Sequence, residues 1–476
     1  MILRMKRKEL INLGLGRRDL SDLAIAGIRS AAEAGLKKSA LRRLLRQLIA
    51  DPGLFVEHEH FGELARTLAK PAAAGGAGFE PRRDPAPYRQ WGTDIDDQAV
   101  RQMDNACNLP VSVLGALMPD AHLGYGLPIG GVLATRDAVI PYAVGVDIAC
   151  RMKLTVLDLP VTALKGQADR LRKVLERETR FGIGAVFRGE RRQHDVLDDD
   201  WSVSPVTQRF KDKAWAQLGT SGSGNHFVEY GEIEVLDGIG GGNPLDLEPG
   251  TYLALLSHSG SRGPGASVAG HYSKLAMDIH PELPKQLKHL AWLDLESQEG
   301  EEYWQAMQLM GRYAAANHAC IHRHVAKGLG AKVLLDVENH HNFAWEEEHQ
   351  GERLIVHRKG ATPAGEGVLG IIPGSMASPA YVVRGLGNAA SLRSAAHGAG
   401  RVMSRKKAKN TFTWSDTKKL LESRGVELLS AGLDEVPGAY RDIDQVMAAQ
   451  SDLVEPLARF HPRIVKMAPA GERPED

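Results

Sequence analysis

The chain has 476 residues, 43% of them hydrophobic and 25% charged, with 59 Lys or Arg balanced by 59 Asp or Glu. That is ordinary globular composition, and no apolar run approaches the 18 or so residues of a membrane span, so a soluble protein is expected. Zero net charge excludes a molecule that attracts nucleic acid over its whole surface and leaves that task to local basic patches. Three cysteines, Cys107, Cys150 and Cys320, form no paired framework, and the basic first residues lack the apolar core of a signal peptide, which makes a reducing cytoplasm the expected location.

Residues 1–50 carry twelve Lys or Arg against four Asp or Glu. Within them, 19–50 read as a helical pair. Asp19 or Ser21 can cap the first helix and Ser39 the second, whose Leu41, Leu44, Leu45, Leu48 and Ile49 form one apolar stripe. The stretch 71–88 turns rich in Pro, Ala and Gly and reads as a linker. The expected organisation is therefore a basic helical extension at 1–70, a linker at 71–88 and a main domain at 89–476. In that domain 153–157, 226–235, 252–256, 332–337 and 368–372 read as strands, while 161–178 and 300–326 read as helices. The fold class is mixed α and β, with no internal repeat. Glycine, at 51 residues, exceeds its usual share of roughly 7%, so many backbone positions need positive φ or a close approach to a ligand.

Chemistry-bearing side chains recur among these glycines. Met118-Pro119-Asp120-Ala121-His122, Gly145-Val146-Asp147-Ile148-Ala149-Cys150 and Gly222-Ser223-Gly224-Asn225-His226 each set a thiolate, carboxylate or imidazole in a loop, and these are the side chains that bind divalent transition metals. Ser257-His258-Ser259-Gly260-Ser261-Arg262, Asn339-His340-His341-Asn342 and Ala396-His397-Gly398-Ala399-Gly400-Arg401 add three more. Residues 391–410, around His397, hold six basic residues and no acid. Arg262 and Arg401 supply planar donors suited to phosphate. Metal, phosphate and imidazole together point to phosphoryl or nucleotidyl transfer. The chain has no Gly-Lys dipeptide and so no Walker A loop, and Asp237-Gly238 lacks the lysine of a Lys-x-Asp-Gly nucleotidyl-transfer motif. A covalently carried nucleotide would need another side chain.

From about Gln90 to Lys466 the order of these loops, continued by Ile372-Pro373-Gly374-Ser375-Met376, resembles the RtcB family of RNA ligases. The resemblance implies an α/β fold around a dinuclear manganese centre and the joining of a 2′,3′-cyclic phosphate or 3′-phosphate RNA end to a 5′-hydroxyl with GTP. It implies Asp147, Cys150, His226, His258 and His341 as ligands of two manganese ions, with the Cys150 thiolate bridging, and His397 as the guanylated nucleophile. It further implies that Asn225 and Asn342 hold phosphate oxygens, that Glu229 and Ser378 lie near the guanine, and that Tyr440 and Lys466 complete the guanylate contacts. Arg262, Arg401 and Arg405 would receive RNA phosphates. A monomer is expected, with an activating protein as a further partner in some members. Manganese comes from the resemblance, since a Cys, His and Asp set accepts zinc more tightly.

The chain departs from the family pattern at Arg151-Met152, in residues 1–70, and in the ten residues Met467–Asp476 that follow the expected terminal lysine. Two other readings remain open at this point. One is a cyclic-phosphate hydrolase or 3′-end guanylate-capping enzyme with the same metals; the other is a noncatalytic RNA-binding protein, which would not need the ligand set intact.

Overall fold

The computed structural model describes residues 10, 15, 18–69, 79–187, 191–236 and 244–473. The chain divides into two compact units, Met1–Glu80 and Pro81–Asp476. Most of the expected linker, 71–78, lies outside the described residues, as do most of the basic residues before 18 and the last three of the C-terminal tail.

The first unit is built from helices Arg18–Glu33, Lys38–Ala50 and Gly62–Ala69. Leu41, Leu45 and Leu48 of the expected stripe are fully buried against Leu20, Ala24, Ile28, Phe61 and Leu64, and Leu44 and Ile49 are partly buried on the same core. The capping expectations do not hold. Asp19 and Ser21 lie inside the first helix and Ser39 inside the second, whose N-cap is Lys37 with no side-chain hydrogen bond. The leucine stripe fixes where this helix lies, and packing outweighs the cap, worth about 1 kcal/mol.

The second unit is organised by two sheets. Five strands lie in the order Tyr88–Gln90, Ser112–His122, Ile129–Thr135, Glu352–Lys359, Asn342–His349. A larger, eight-stranded sheet runs Leu369–Ile372, Ala380–Gly385, Val454–Met467, Phe227–Val235, Gly250–Ser259, Arg151–Leu157, Val333–His340, with Glu427–Ser430 paired to Val454–Met467. Period-two alternation explains its two faces. Leu253 and Leu255 turn to a helical layer containing Leu171, Leu175, Ile321, Val325 and Leu329. Ala254 and Leu256 turn the other way, onto Met152, Leu154, Ile371, Val382 and Phe460.

Each strand expected from sequence lies within or overlaps an observed one. The helix expected at 161–178 is two, Ala163–Gly166 and Ala168–Glu178, because Gln167 between them leaves helical geometry at φ −128°, ψ 25°. The helix expected at 300–326 runs Gln298–Leu329. Ser297 caps its start by accepting from the Gly300 amide, and Gly330 ends it in the left-handed conformation.

Candidate metal centre and catalytic cleft

Four neighbouring antiparallel strands of the large sheet bring their ligand-bearing ends to one side. Cys150 precedes Arg151–Leu157, His226 precedes Phe227–Val235, His258 is the second-last residue of Gly250–Ser259, and His341 follows Val333–His340. His258 is therefore a strand residue, not a loop residue. Its alternation places it on the face of Leu256, while Ser257 and Ser259 face the helices. Asn339 and His340 are likewise strand residues, which leaves His341 between strands to turn inward.

The donor atoms converge. Cys150 Sγ lies 3.4 Å from His226 Nε2 and 3.1 Å from His258 Nε2. His258 Nε2 lies 3.2 Å from His341 Nε2, and His226 Nε2 lies 3.2 Å from Asp147 Oδ2. Cys150, His226 and His258 thus form one close group that could hold a metal ion, with Asp147 beside His226 and His341 beside His258. All five are buried. The His258 Nδ1–H donates to the Asn225 carbonyl at 3.1 Å, which fixes the tautomer with a bare Nε2 turned to the cluster. Burial lowers the His258 pKa to about 3 and holds His341 well below its ordinary value. Burial works against the Asp147 charge, but His226, Cys150 and Arg262 outweigh it and hold the carboxyl low. Imidazoles beside a carboxylate and a thiol, with His258 and His341 kept neutral by burial, fit a divalent cation.

The backbone supports this convergence. Asp147 Oδ1 accepts from the Ser261 amide at 3.0 Å, and a Cβ at Gly260 would meet Asp147 Oδ2 at 2.0 Å, so only glycine fits there. Ala149 takes φ +56° beside Cys150, with its N–H bonded to the Asn342 carbonyl at 2.6 Å. Asn342 itself is held at both ends of its amide, by the Asp147 carbonyl and the Gly360 amide. On the helix side, Ser257 Oγ meets His318 Nδ1 and His322 Nε2 at 2.7 Å each, and His318 Nε2–H donates to the Ser259 carbonyl at 3.0 Å. The long helix thereby pins the strand on both sides of His258.

His397 ends the short strand Ser394–Ala396, and its ring centroid is 5.0 Å from that of His341. Its Nδ1 lies 2.7 Å from Asp120 Oδ2, which also accepts from the His397 and Gly398 amides. Asp120 is fully buried. The imidazole therefore donates through Nδ1 and keeps the Nε2 lone pair for an electrophile.

A cleft of about 1080 Å³ passes over these groups and is lined by all five candidate ligands, His397, Asn225, Glu229, Asn342, Ser378, Arg401, Arg405 and Tyr440. Glu229 is buried with no neighbouring charge to offset the burial, which pushes its carboxyl well above the ordinary range. Arg401 lies 3.3 Å from Glu435 and its guanidinium sits over the Tyr440 ring; Arg405 pairs with Asp434 at 3.1 Å and with Glu435. Two expected contacts are not brought to this cleft. Arg262 begins helix Arg262–Ile279, is 2% exposed, and donates to Thr220 Oγ1 at 3.1 Å and the Gly182 carbonyl at 2.8 Å. Lys466 pairs in register with Val228, on the helix face, and donates to Thr179 Oγ1 at 3.0 Å. Arg151 is also turned to the helix face, toward Glu338 and Gly311.

Sequence reasoning missed two groups. Asp120 stands in the sequence only as part of its loop, although its spacing of two from His122 on strand Ser112–His122 is a signal that the two share a face. Lys359 lines the cleft with its Nζ 2.5 Å from the Tyr125 carbonyl, and burial lowers its pKa to about 7. Nothing in its local sequence marks it.

The sequence model of the family described as tRNA-splicing ligase RtcB matches residues 102–208 and 193–467. The chain belongs to the RtcB family of RNA ligases. It is 34% identical over 400 residues to the RNA-splicing ligase RtcB of Escherichia coli strain K12, covering 78% of this chain and 94% of that one. It is 32% identical to the tRNA-splicing ligase RtcB of Nanoarchaeum equitans, covering 77% and 91%, and 30% identical to that of Thermococcus kodakarensis, covering 77% and 90%. The RtcB match begins beyond the first unit, Met1–Glu80.

Proposed function

We propose that this chain joins a 2′,3′-cyclic phosphate or 3′-phosphate RNA end to a 5′-hydroxyl end, using GTP, with manganese held by Asp147, Cys150, His226, His258 and His341. The observation that carries the reading is the His397–Asp120 pair beside the ligand set. An oriented, part-buried imidazole with its Nε2 turned away from Asp120 is what a covalent guanylate requires, and a noncatalytic binding protein has no use for it. Bound divalent ions would polarise phosphate oxygens and screen the charge of the triphosphate.

In this mechanism His397 Nε2 attacks the α-phosphorus of GTP, the α–β P–O bond breaks and pyrophosphate leaves. The Nδ1–H of His397 stays on Asp120 and steadies the positive charge that develops on the ring. After water has opened a cyclic end, an oxygen of the RNA 3′-phosphate attacks the guanylate phosphorus and His397 departs. The 5′-hydroxyl then attacks the activated 3′-phosphorus, GMP leaves, and a phosphodiester remains. Glu229 offers the guanine edge an acceptor: the two N–H donors of that edge are the partners its buried carboxyl lacks. Ser378 and Tyr440 wall the same side, and Asn225 and Asn342 supply amides for phosphate oxygens. Arg401 and Arg405 take the RNA phosphates.

The test is incubation with labelled GTP and each divalent metal in turn, followed by a denaturing gel and by ligation of a defined cyclic-phosphate/5′-hydroxyl RNA pair. A protein-bound label and a joined product are expected with manganese. Joining without a covalent label would sink the histidine-guanylate route.

A further inference from the structure

The cleft that His397 lines is also lined by Leu123, Tyr125, Tyr142 and Lys359. Large hydrophobic side chains exposed to solvent are concentrated here. Of the thirteen among the described residues, Leu123, Tyr125, Val146 and Val402 all line this one cleft. Leu123 is 49% exposed and Tyr125 66%. Contiguous exposed apolar surface at a cleft mouth marks a surface that is covered in use.

The loop that carries these two residues is fixed, so their exposure is not a consequence of slack chain. Gln102 clamps the Gly124 residue from both sides, donating to its carbonyl at 2.6 Å and accepting from its amide at 3.0 Å. The Lys359 ammonium holds the Tyr125 carbonyl at 2.5 Å. Gly126 has φ +72°, and a Cβ there would meet the His289 carbonyl at 2.6 Å, so the loop packs backbone to backbone at that point. The Tyr125 ring meets His289 edge-on at 5.7 Å, and His289 in turn packs on Tyr142 at 4.6 Å. A rigid backbone presenting a buttressed, exposed aromatic ring is a preorganised stacking surface, and base stacking on such rings is how single-stranded nucleic acid is held.

The same cleft is also lined by Asp94, Asp96, Asp97 and Arg101; Asp94 pairs with Arg441 at 3.3 Å, and Asp96 and Asp97 stand at the start of the helix whose Gln102 holds Gly124. The Asp96 and Asp97 carboxylates disfavour a terminal phosphate beside this loop. Of the two RNA ends in the proposed reaction, the one without a phosphate at its reacting terminus is the 5′-hydroxyl end. We propose that Tyr125, backed by His289 and Tyr142, is the platform on which the base of the 5′-hydroxyl nucleotide stacks. This rests on the RNA-joining reading above.

The experiment compares wild type, Tyr125→Ala and Tyr125→Phe in guanylation and in steady-state ligation, with intact RNA and with RNA bearing an abasic nucleotide at the 5′-hydroxyl terminus. Tyr125→Ala is expected to raise KM for the 5′-hydroxyl strand by about tenfold or more, the scale of one lost stack, while Phe stays near wild type and both variants form the guanylate adduct. Wild type should lose a similar factor on the abasic strand, and Tyr125→Ala should lose nothing further on it. Unchanged KM in the Ala variant, or losses that simply multiply, overturns the proposal. So does loss of the adduct in a folded Tyr125→Ala protein, which would put the ring in the nucleotide site. Should the wild type itself form no adduct, the proposed function fails instead; the abasic comparison on wild type still reads base recognition if any variant does not fold.

Discussion

At the scale of single residues, the proposed function separates the groups that would hold metal from the group that would carry guanylate. His397→Ala is predicted to keep its bound metal yet form no covalent adduct, whereas Cys150→Ser should lower metal content and abolish both guanylation and ligation, because serine stays protonated where a thiolate would bridge. Metal analysis paired with labelled GTP distinguishes them, and metal loss in His397→Ala would contradict the assignment. The wild-type adduct should be labile to acid and stable to alkali, since protonating a phosphoramidate nitrogen makes histidine a good leaving group. Asp120 gives a second prediction. Asp120→Asn turns an acceptor of three N–H groups into an amide whose NH₂ can face Nδ1, favouring the tautomer with a proton on Nε2. Guanylation should fall by on the order of 10²–10⁴-fold, as when an orienting carboxylate is neutralised in a catalytic triad, with GTP binding intact; an unchanged guanylation rate would show that Asp120 is structural only. That Asp147, Cys150, His226, His258, His341 and His397 line one cleft was legible in sequence because they sit among glycines in ordered motifs. Asp120's partner was not, since the separation of 277 positions from His397 is closed only by the fold.

At the scale of elements, the strand ends are positioned by what lies behind them. Asn317, fully buried in helix Gln298–Leu329, accepts from the Gly219 amide at 2.6 Å and donates to the Thr220 carbonyl at 2.7 Å. It thereby fixes the start of the segment that leads to Asn225 and His226. Asn317→Ala would strand two buried backbone groups, and each costs about 1–3 kcal/mol. Urea unfolding should show a loss of that order, together with weaker metal retention; wild-type stability would mean that water or a local shift satisfies the loop. Periodicity revealed these elements well, because buried strands and amphipathic helices write their geometry into sequence. It did not reveal which face His258 takes, because a histidine between serines carries no apolar alternation, nor that Lys466 turns to the helical layer, because its direction is set by register with a distant strand, nor that Arg262 is buried on Thr220 and the Gly182 carbonyl, which only the fold brings to it.

At the scale of the whole molecule, charge is unevenly shared. Residues 1–80 hold fourteen Lys or Arg against nine Asp or Glu, leaving 45 against 50 in the remainder. The unit with the catalytic cleft is thus net acidic, and Arg401 and Arg405 within that cleft already face Asp434 and Glu435. Under the proposed function, RNA phosphates arriving there would exchange with built-in carboxylates and release few ions from solution. Deleting residues 1–70 should leave guanylation intact, weaken RNA binding at low salt and flatten its dependence on salt; an unchanged slope would assign the extension to another role. The ligand set has a consequence for how the molecule comes into being. Its residues run from Asp147 to His341, and the sheet that aligns them has Val454–Met467 at its interior, between Ala380–Gly385 and Phe227–Val235. The four strands beside the candidate ligands all lie within residues 147–341, but the sheet that flanks them is completed only by Val454–Met467, near the other end of the sequence. Contacts so distant in sequence form late and slowly, so the ability to capture metal should appear only with the final cooperative step of folding, and the rate of metal uptake by refolding chains becomes a clock for closure of the sheet.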